Sequence, residues 1–280
     1  MRYSFDAIGT SWQVDIPEHP ELFADITDRI AEYDRVFSRF RADSVVSQIA
    51  RQAGRYTLPP EAEPLFSLYH QLYELTSGVF TPLIGSTLSE AGYDADYSLI
   101  PGTLQSPPEW NTVLSFAHPE LETKQPVLLD IGAAGKGQLI DIVAALIENA
   151  GISEYVVDAG GDIRCRGAQA LRVGLEHPSQ PESVVGVAQV NNLSICGSAG
   201  NRRKWGKYHH ILNPKTLESP SDVAAAWVIA DTTMLADALS TCLFFTTPQE
   251  LLQHFPFSYA VLYYDHSISY SSGFPGEIFA

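Results

Sequence analysis

The sequence predicts a mixed α and β protein of the α+β kind, read as a single compact domain over residues 1–280 in which helices pack on largely antiparallel sheets. Three observations carry this. Apolar residues recur near 3.6 spacing in stretches of helical length. Short β-rich runs bounded by turn residues are arranged as a meander and a terminal hairpin. No low-complexity linker or internal repeat divides the chain.

In order along the chain, residues 7–16 read as a strand entered through a Gly9-Thr10 turn. Residues 21–37 read as a helix, with Leu22, Phe23, Ile26, Ile30, Tyr33, Val36 and Phe37 on one face. A polar loop over 38–44 leads to a short helix at 45–51. A third helix, about 61–77, carries Leu65, Leu68, Tyr69, Leu72 and Leu75 and closes on Gly78 as a left-handed cap. Residues 85–112, rich in Gly, Pro, Ser and Asp, read as an irregular excursion. Val127, Leu128 and Leu129 form a short apolar strand before Asp130, and a helix over 136–150 ends at Gly151. A buried-type strand at 155–157 stops at Asp158-Ala159-Gly160-Gly161-Asp162. Segments 171–176 and 184–196 alternate as a meander, 227–230 is a strand, 232–245 a helix, and 259–264 with 268–272 a hairpin.

With 45% apolar and 18% charged residues in 280, the chain can bury a sizeable core and is not disordered. A formal charge of −16 argues against a nucleic-acid partner, because that affinity rests on lysine and arginine at phosphates. Cys165, Cys196 and Cys242 are far apart and odd in number, as suits buried thiols in a reducing compartment. There is no apolar run long enough for a membrane span, so no membrane insertion is expected. The first residues lack the apolar region of a signal peptide, and a cytoplasmic location is the expectation.

The segment from Asp130 to Gly137 (Asp130-Ile131-Gly132-Ala133-Ala134-Gly135-Lys136-Gly137) puts a carboxylate and a Gly-rich turn at the opening of a helix. A helix start offers backbone N–H groups and a positive dipole end, which suit a phosphate-like anion. It is not a Walker loop: Asp130 stands where the first glycine would be and Gly137 where Ser/Thr would hold a metal. A tight structural turn is the other reading of these residues.

Asp237 and Thr241 lie four apart on one helix face, with Ser240 beside them. A carboxylate with hydroxyls is an all-oxygen set of the kind Mg²⁺ or Ca²⁺ takes, while a threonine bonded back to its own helix accounts for the same spacing. The helix is apolar nearly all round, so the carboxylate is buried and needs a partner that the helix itself does not supply. His209-His210 offers a base that titrates near neutrality or a histidine pair packed at a strand end. Asp158 to Asp162 reads as a ligand loop or a turn. Arg202-Arg203-Lys204 reads as a phosphate-steering run or a solvated surface.

Together these segments resemble the ApbE family of FAD:protein FMN transferases. The resemblance rests on Ile8-Gly9-Thr10, Phe37-Ser38-Arg39-Phe40 with Asp43-Ser44, Ser77-Gly78-Val79-Phe80-Thr81-Pro82, and Leu129 to Gly137 with Asp141. It continues in Asp158 to Ile163 with Gly167, Ser198-Ala199-Gly200-Asn201, His209 to Thr216, and Ala236-Asp237-Ala238-Leu239-Ser240-Thr241. The chain departs from the family pattern in having Ile8 for methionine, Thr81 for an acidic residue, Ser198 and Ala199 for Thr-Ser, Asn213 for aspartate, and Leu217 for glycine.

The resemblance implies a Mg²⁺-dependent transfer of FMN from FAD to a threonine of an acceptor flavoprotein, with AMP released. Hydrolysis of FAD to FMN and AMP, or FAD binding without catalysis, are the alternatives. Position by position, it implies metal ligands at the Ala133 carbonyl, Asp237, Thr241 and Ser240. FAD contacts fall at Ile8, Phe40, Val79, Phe80, Thr81, Asp130, Lys136 and Leu212, and His210 serves the chemistry. Phe40 and Phe80 are the aromatic groups expected to cover a ring of the ligand.

Overall fold

The computed structural model describes residues 1–279, the side chain of Pro181 excepted. It contains helices and antiparallel sheets, as the sequence predicts. Among the described residues, no helix is long and apolar enough to cross a membrane. The chain divides into two compact units, one of residues 1–31, 136–202 and 221–280, the other of residues 32–135 and 203–220.

The first unit is built on an eight-stranded sheet. Its strand order is Arg2–Ala7, Thr10–Asp15, Tyr155–Ala159, Asp162–Arg166, Ser194–Ala199, Val223–Ala230, Ser258–Tyr263 and Ile268–Tyr270. All neighbours are antiparallel. Val223–Ala230 is buried along its whole length, as a central strand covered on both faces must be. A smaller sheet orders Gly276–Ile278, Gln180–Val190 and Leu171–His177. It packs its apolar face, including Leu175, Val185 and Val190, with Ile195, Trp227 and Leu262 of the large sheet.

The second unit carries the helices Val45–Arg51 and Ala62–Leu75 and a three-stranded sheet ordered Gly54–Thr57, Glu120–Thr123, Leu114–Ala117. It also holds the two-stranded ribbon of Lys204–Trp205 and Tyr208–His209. Ser44 caps the first of these helices by accepting from the Ser47 N–H at 3.0 Å. Gly78 closes the second with φ +86, its N–H donating to the Tyr73 carbonyl at 2.7 Å.

Several expectations change. Within residues 7–16, only Thr10–Asp15 is a strand, the second arm of a hairpin whose first strand is Arg2–Ala7, and Ile8 and Gly9 form the turn with φ 46 and 74. Positive φ is a costly conformation for a β-branched residue, so hydropathy patterning does not announce this turn at Ile8. Residues 184–196 are two strands in two different sheets, parted at Asn192 with φ 54. Residues 85–112 include the helices Gly85–Glu90 and Trp110–Val113. Val127 to Leu129 is not a strand: Val127 N–H bonds to Ile49 O of the helix Val45–Arg51, and the following Asp130 N–H to Pro82 O of a short 3₁₀ turn. Buried apolar character alone does not provide a ladder partner.

The feature that positions the site lies in the first unit, where two helix starts meet. The helix Gly135–Asn149 and the helix Thr233–Cys242 each give N-terminal N–H groups to a carboxylate on the other. Gly137 N–H donates to Asp237 at 2.9 Å. Thr233 and Met234 N–H donate to the two oxygens of Asp141, each at 2.9 Å. Each carboxylate satisfies otherwise orphaned donors and faces a positive dipole end. This approach requires Gly137, because a Cβ there would stand 2.3 Å from the Thr233 carbonyl oxygen and 2.8 Å from Asp237 Cβ. Gly137→Ala is therefore expected to cost about 1–3 kcal/mol, read as a lowered Tm in calorimetry. An unchanged Tm shows that the helices are not held at this distance.

Candidate functional site

In the first unit, Asp237 is only 6% exposed. A carboxylate so buried stays charged only with hydrogen-bonding and charge partners. One is the Gly137 N–H, and a second is the Lys136 ammonium. Lys136 itself forms an ion pair with Asp162 and donates to the Ala159 carbonyl at 3.2 Å. Burial alone would lower the Lys136 pKa, but the charges of Asp162 and Asp237 outweigh it and hold the pKa above the ordinary lysine value. Asp162 is fixed in turn by the Gly197 N–H at 3.2 Å. A lysine thus sits among buried carboxylates near a helix start. The anions it meets in the structure are protein side chains.

The hydroxyls follow on the same helix. Ser240 is fully buried, and its hydroxyl donates to the Asp237 carbonyl at 2.9 Å. The Ser198 hydroxyl, from the adjoining strand Ser194–Ala199, lies 2.7 Å from Ser240 Oγ and 3.2 Å from Thr241 Oγ1. Asp237, Ser240 and Thr241 are thus oxygen donors of one helix, the two hydroxyls linked through Ser198. Among the described residues, no group of three His, Cys, Asp or Glu side chains could hold a metal. A single carboxylate with hydroxyls matches a hard cation that keeps waters or takes substrate phosphate oxygens as its remaining ligands.

Asp158, within the field of Asp162 and Lys136, accepts from the Gly161 N–H at 2.8 Å, and burial raises its pKa. The residues 158–162 are therefore a turn between two strands, which also delivers Asp162 to Lys136. Ile8 is half-buried at its hairpin turn.

In the second unit, Asp130 is held by Arg39 Nε at 2.5 Å and by the Gly132 N–H at 2.7 Å. The Arg39 guanidinium lies 4.2 Å from the Phe40 ring centroid and 4.8 Å from that of Tyr93, and its Nη2 is buried without a hydrogen-bond partner. Phe40 is 36% exposed and stacks on Tyr97 with centroids 5.3 Å apart and planes within 6°. Tyr93 accepts from Arg203 Nη1 at 2.7 Å, and burial pushes its phenol up to about 12. Leu212 packs with Leu88, Ala91, Tyr93, Trp205 and Tyr208. Val79 is half-buried. Phe80 is 2% exposed and stacked on Tyr69, so its ring is spent in the core. Thr81 caps a short 3₁₀ turn by accepting from Leu83 N–H. Ala133 lies in the turn preceding Gly135.

The two histidines separate clearly. His209 is buried, accepts from the Ile211 N–H at Nδ1 (3.3 Å), and faces the Pro220 carbonyl with Nε2 (3.2 Å). That pattern fixes a neutral ring protonated on Nε2. His210 is half-buried, its N–H bonded to the Arg203 carbonyl at 3.1 Å.

The sequence reading did not single out Asp162 as the partner of Lys136, Arg39 as the partner of Asp130, Tyr93 and Tyr97 beside Phe40, or the link from Ser198 to Thr241. Its available signals were the adjacency of Arg39 to Phe40 and the second aspartate after Gly160-Gly161. Nothing local relates Ser198 to a threonine 43 positions away.

The ApbE family model matches residues 8–259. An FAD:protein FMN transferase of Escherichia coli K12 is 24% identical over 271 residues, covering 87% of this chain and 77% of that protein. One from Rhodobacter capsulatus is 26% identical over 185 residues, 60% of this chain; the match spans only 35% of that relative's own length. The solved structure of a flavin transferase ApbE from Vibrio cholerae superposes with a TM-score of 0.81 at 20% identity, over 98% of this chain and 97% of that one. That likeness establishes the fold.

Burial lowers the His209 pKa below 6.5. The folded state therefore binds its proton less tightly than the unfolded state. The stability this residue contributes is complete above the unfolded pKa and declines as pH falls below about 6.5 toward the lowered folded value. Urea titrations across that window should show the decline, and His209→Gln should lack that component. An equal slope in both proteins removes His209 as its source.

Proposed function

The chain belongs to the ApbE family, and from that premise we propose that it transfers FMN from FAD to a threonine hydroxyl of an acceptor flavoprotein, with Mg²⁺ as cofactor and AMP as the leaving product. The observation that carries this reading is the oxygen-only set of Asp237, Ser240 and Thr241 beside a buried lysine, in the segment that bears the family resemblance. The E. coli and R. capsulatus relatives are named FAD:protein FMN transferases.

A divalent cation, when bound, would neutralise charge developing on a diphosphate. Asp237 and Thr241 would hold it, with the Ala133 carbonyl as the further ligand the resemblance implies. Ser240, whose proton goes to the helix backbone, is the other ligand the resemblance implies. Lys136, kept cationic by Asp162 and Asp237, adds a fixed positive charge for the same phosphates. Phe40, exposed and stacked on Tyr97, offers a flat apolar surface to an aromatic ring. Leu212, Val79, Thr81, Asp130 and Ile8 complete the proposed FAD contacts. Phe80 contributes there through its backbone, since its ring is stacked on Tyr69.

In the step itself, the acceptor hydroxyl attacks the phosphorus next to riboflavin. An O–P bond forms, the diphosphate bridge breaks, and AMP departs with the bridging oxygen. His210 takes the hydroxyl proton. The backbone engages both ring nitrogens of His209, which leaves the base to its neighbour.

Incubation with FAD, Mg²⁺ and a threonine-bearing acceptor should yield AMP and an acceptor heavier by one FMN. Free FMN with AMP and an unmodified acceptor indicates hydrolysis instead, and intact FAD rejects catalysis. His210→Ala should lower turnover by about 10²–10⁴-fold while FAD binding, followed by flavin fluorescence, persists. Turnover equal to wild type removes His210 from the step. Asp237→Asn should shift the Mg²⁺ dependence of turnover to higher concentration, and an identical Mg²⁺ titration argues against this carboxylate as a ligand.

A further inference from the structure

We infer that Ser198 is a positioning residue: it fixes the proton of the Thr241 hydroxyl so that the oxygen lone pairs face outward as a ligand for a divalent cation. The inference rests on the proposed cation role of Asp237 and Thr241, and its test separates the two.

The argument is one of proton accounting along three hydroxyls. Ser240 Oγ donates to the Asp237 backbone carbonyl at 2.9 Å. A serine has one hydroxyl proton, so Ser240 can only accept in its 2.7 Å contact with Ser198. Ser198 therefore spends its own proton on Ser240. In the remaining 3.2 Å contact, Ser198 is the acceptor and Thr241 the donor. The chain runs one way, from Thr241 to Ser198 to Ser240 to the Asp237 carbonyl.

The direction matters because a hydroxyl that ligates a cation must offer a lone pair and keep its proton elsewhere. A helical threonine has two accessible χ1 rotamers, and its usual local option is to bond back to the carbonyl four residues earlier. That carbonyl is the one of Asp237, which already accepts from Ser240. Ser198 gives Thr241 an alternative acceptor on a rigid strand, paired in register with Val223–Ala230. Rotamer and proton are set together. Ser198 resides in the Ser198-Ala199-Gly200 segment, where this chain departs from the family's Thr-Ser-Gly. It retains the hydroxyl at the position the relay uses.

The test measures Mn²⁺ binding, as loss of the free-ion electron paramagnetic resonance signal, in the presence of FAD. Ser198→Ala should weaken Mn²⁺ affinity by about tenfold or more, the range seen when a group supporting a metal ligand is removed. Ser198→Thr, which restores a hydroxyl at the same backbone position, should recover most of it. Circular dichroism melts of each variant check that the fold is retained. Wild-type affinity in folded Ser198→Ala, with Thr241→Ala impaired, overturns the positioning role and leaves the cation reading standing. Wild-type protein that binds no Mn²⁺, or binds it equally well as Asp237→Asn and Thr241→Ala, overturns the cation reading itself.

Discussion

The structure around the site depends on a reciprocal exchange between two helix starts. Gly137 N–H goes to Asp237, while the Thr233 and Met234 N–H groups go to Asp141. Buried carboxylates are costly, and so are unpaired helix-start donors. Placing each against the other removes both costs at once, and aligns two positive dipole ends with two negative charges. Arg164 lies 3.2 Å from Asp141 and ties the arrangement to the strand Asp162–Arg166. Burial still raises the Asp141 pKa, with the Met234 and Thr233 N–H groups and Arg164 opposing the rise. The whole arrangement closes only because position 137 has no side chain.

Once the helices are fixed this way, the remaining chemistry of the first unit follows from charge and proton balance. Lys136, one residue before the critical glycine, is carried among Asp162 and Asp237 and stays protonated. Asp237 presents its helix's next hydroxyls in a defined order, Ser240 turned to the backbone and Thr241 turned to Ser198. In the second unit the same logic holds Arg39. Its burial is offset by the Asp130 carboxylate and by the faces of Phe40 and Tyr93. That packing in turn holds the half-exposed Phe40 ring flat against Tyr97.

Much of this was legible locally. Local sequence pattern placed the helices Pro20–Phe37, Val45–Arg51, Ala62–Leu75, Gly135–Asn149 and Thr233–Cys242 within a few residues. Gly78 and Gly151 end their helices at positive φ, as glycine at those positions signals. The short strands Gly54–Thr57, Leu114–Ala117 and Glu120–Thr123 escaped, because four residues carry too little alternation to stand out and their stability comes from one another. The Ile8 turn escaped because a β-branched residue at positive φ contradicts ordinary turn chemistry. Residues 184–196 read as one strand because the break at Asn192 is a single residue whose effect is to send the chain to another sheet.

The sequence by itself determined the longer helical segments, which carboxylate would be buried, and which hydroxyls share its helix face, since those follow from periodicity and composition within a dozen residues. It also carried, in ordered short motifs, the family to which the chain belongs. Only the tertiary structure decided that Asp237 is answered by a backbone N–H a hundred residues away, that both ring nitrogens of His209 are engaged by the backbone, and that Ser198 meets the Thr241 hydroxyl. Hydrogen bonds have short reach and strict direction. Which donor meets which acceptor is therefore settled by packing between distant segments, which no local pattern encodes.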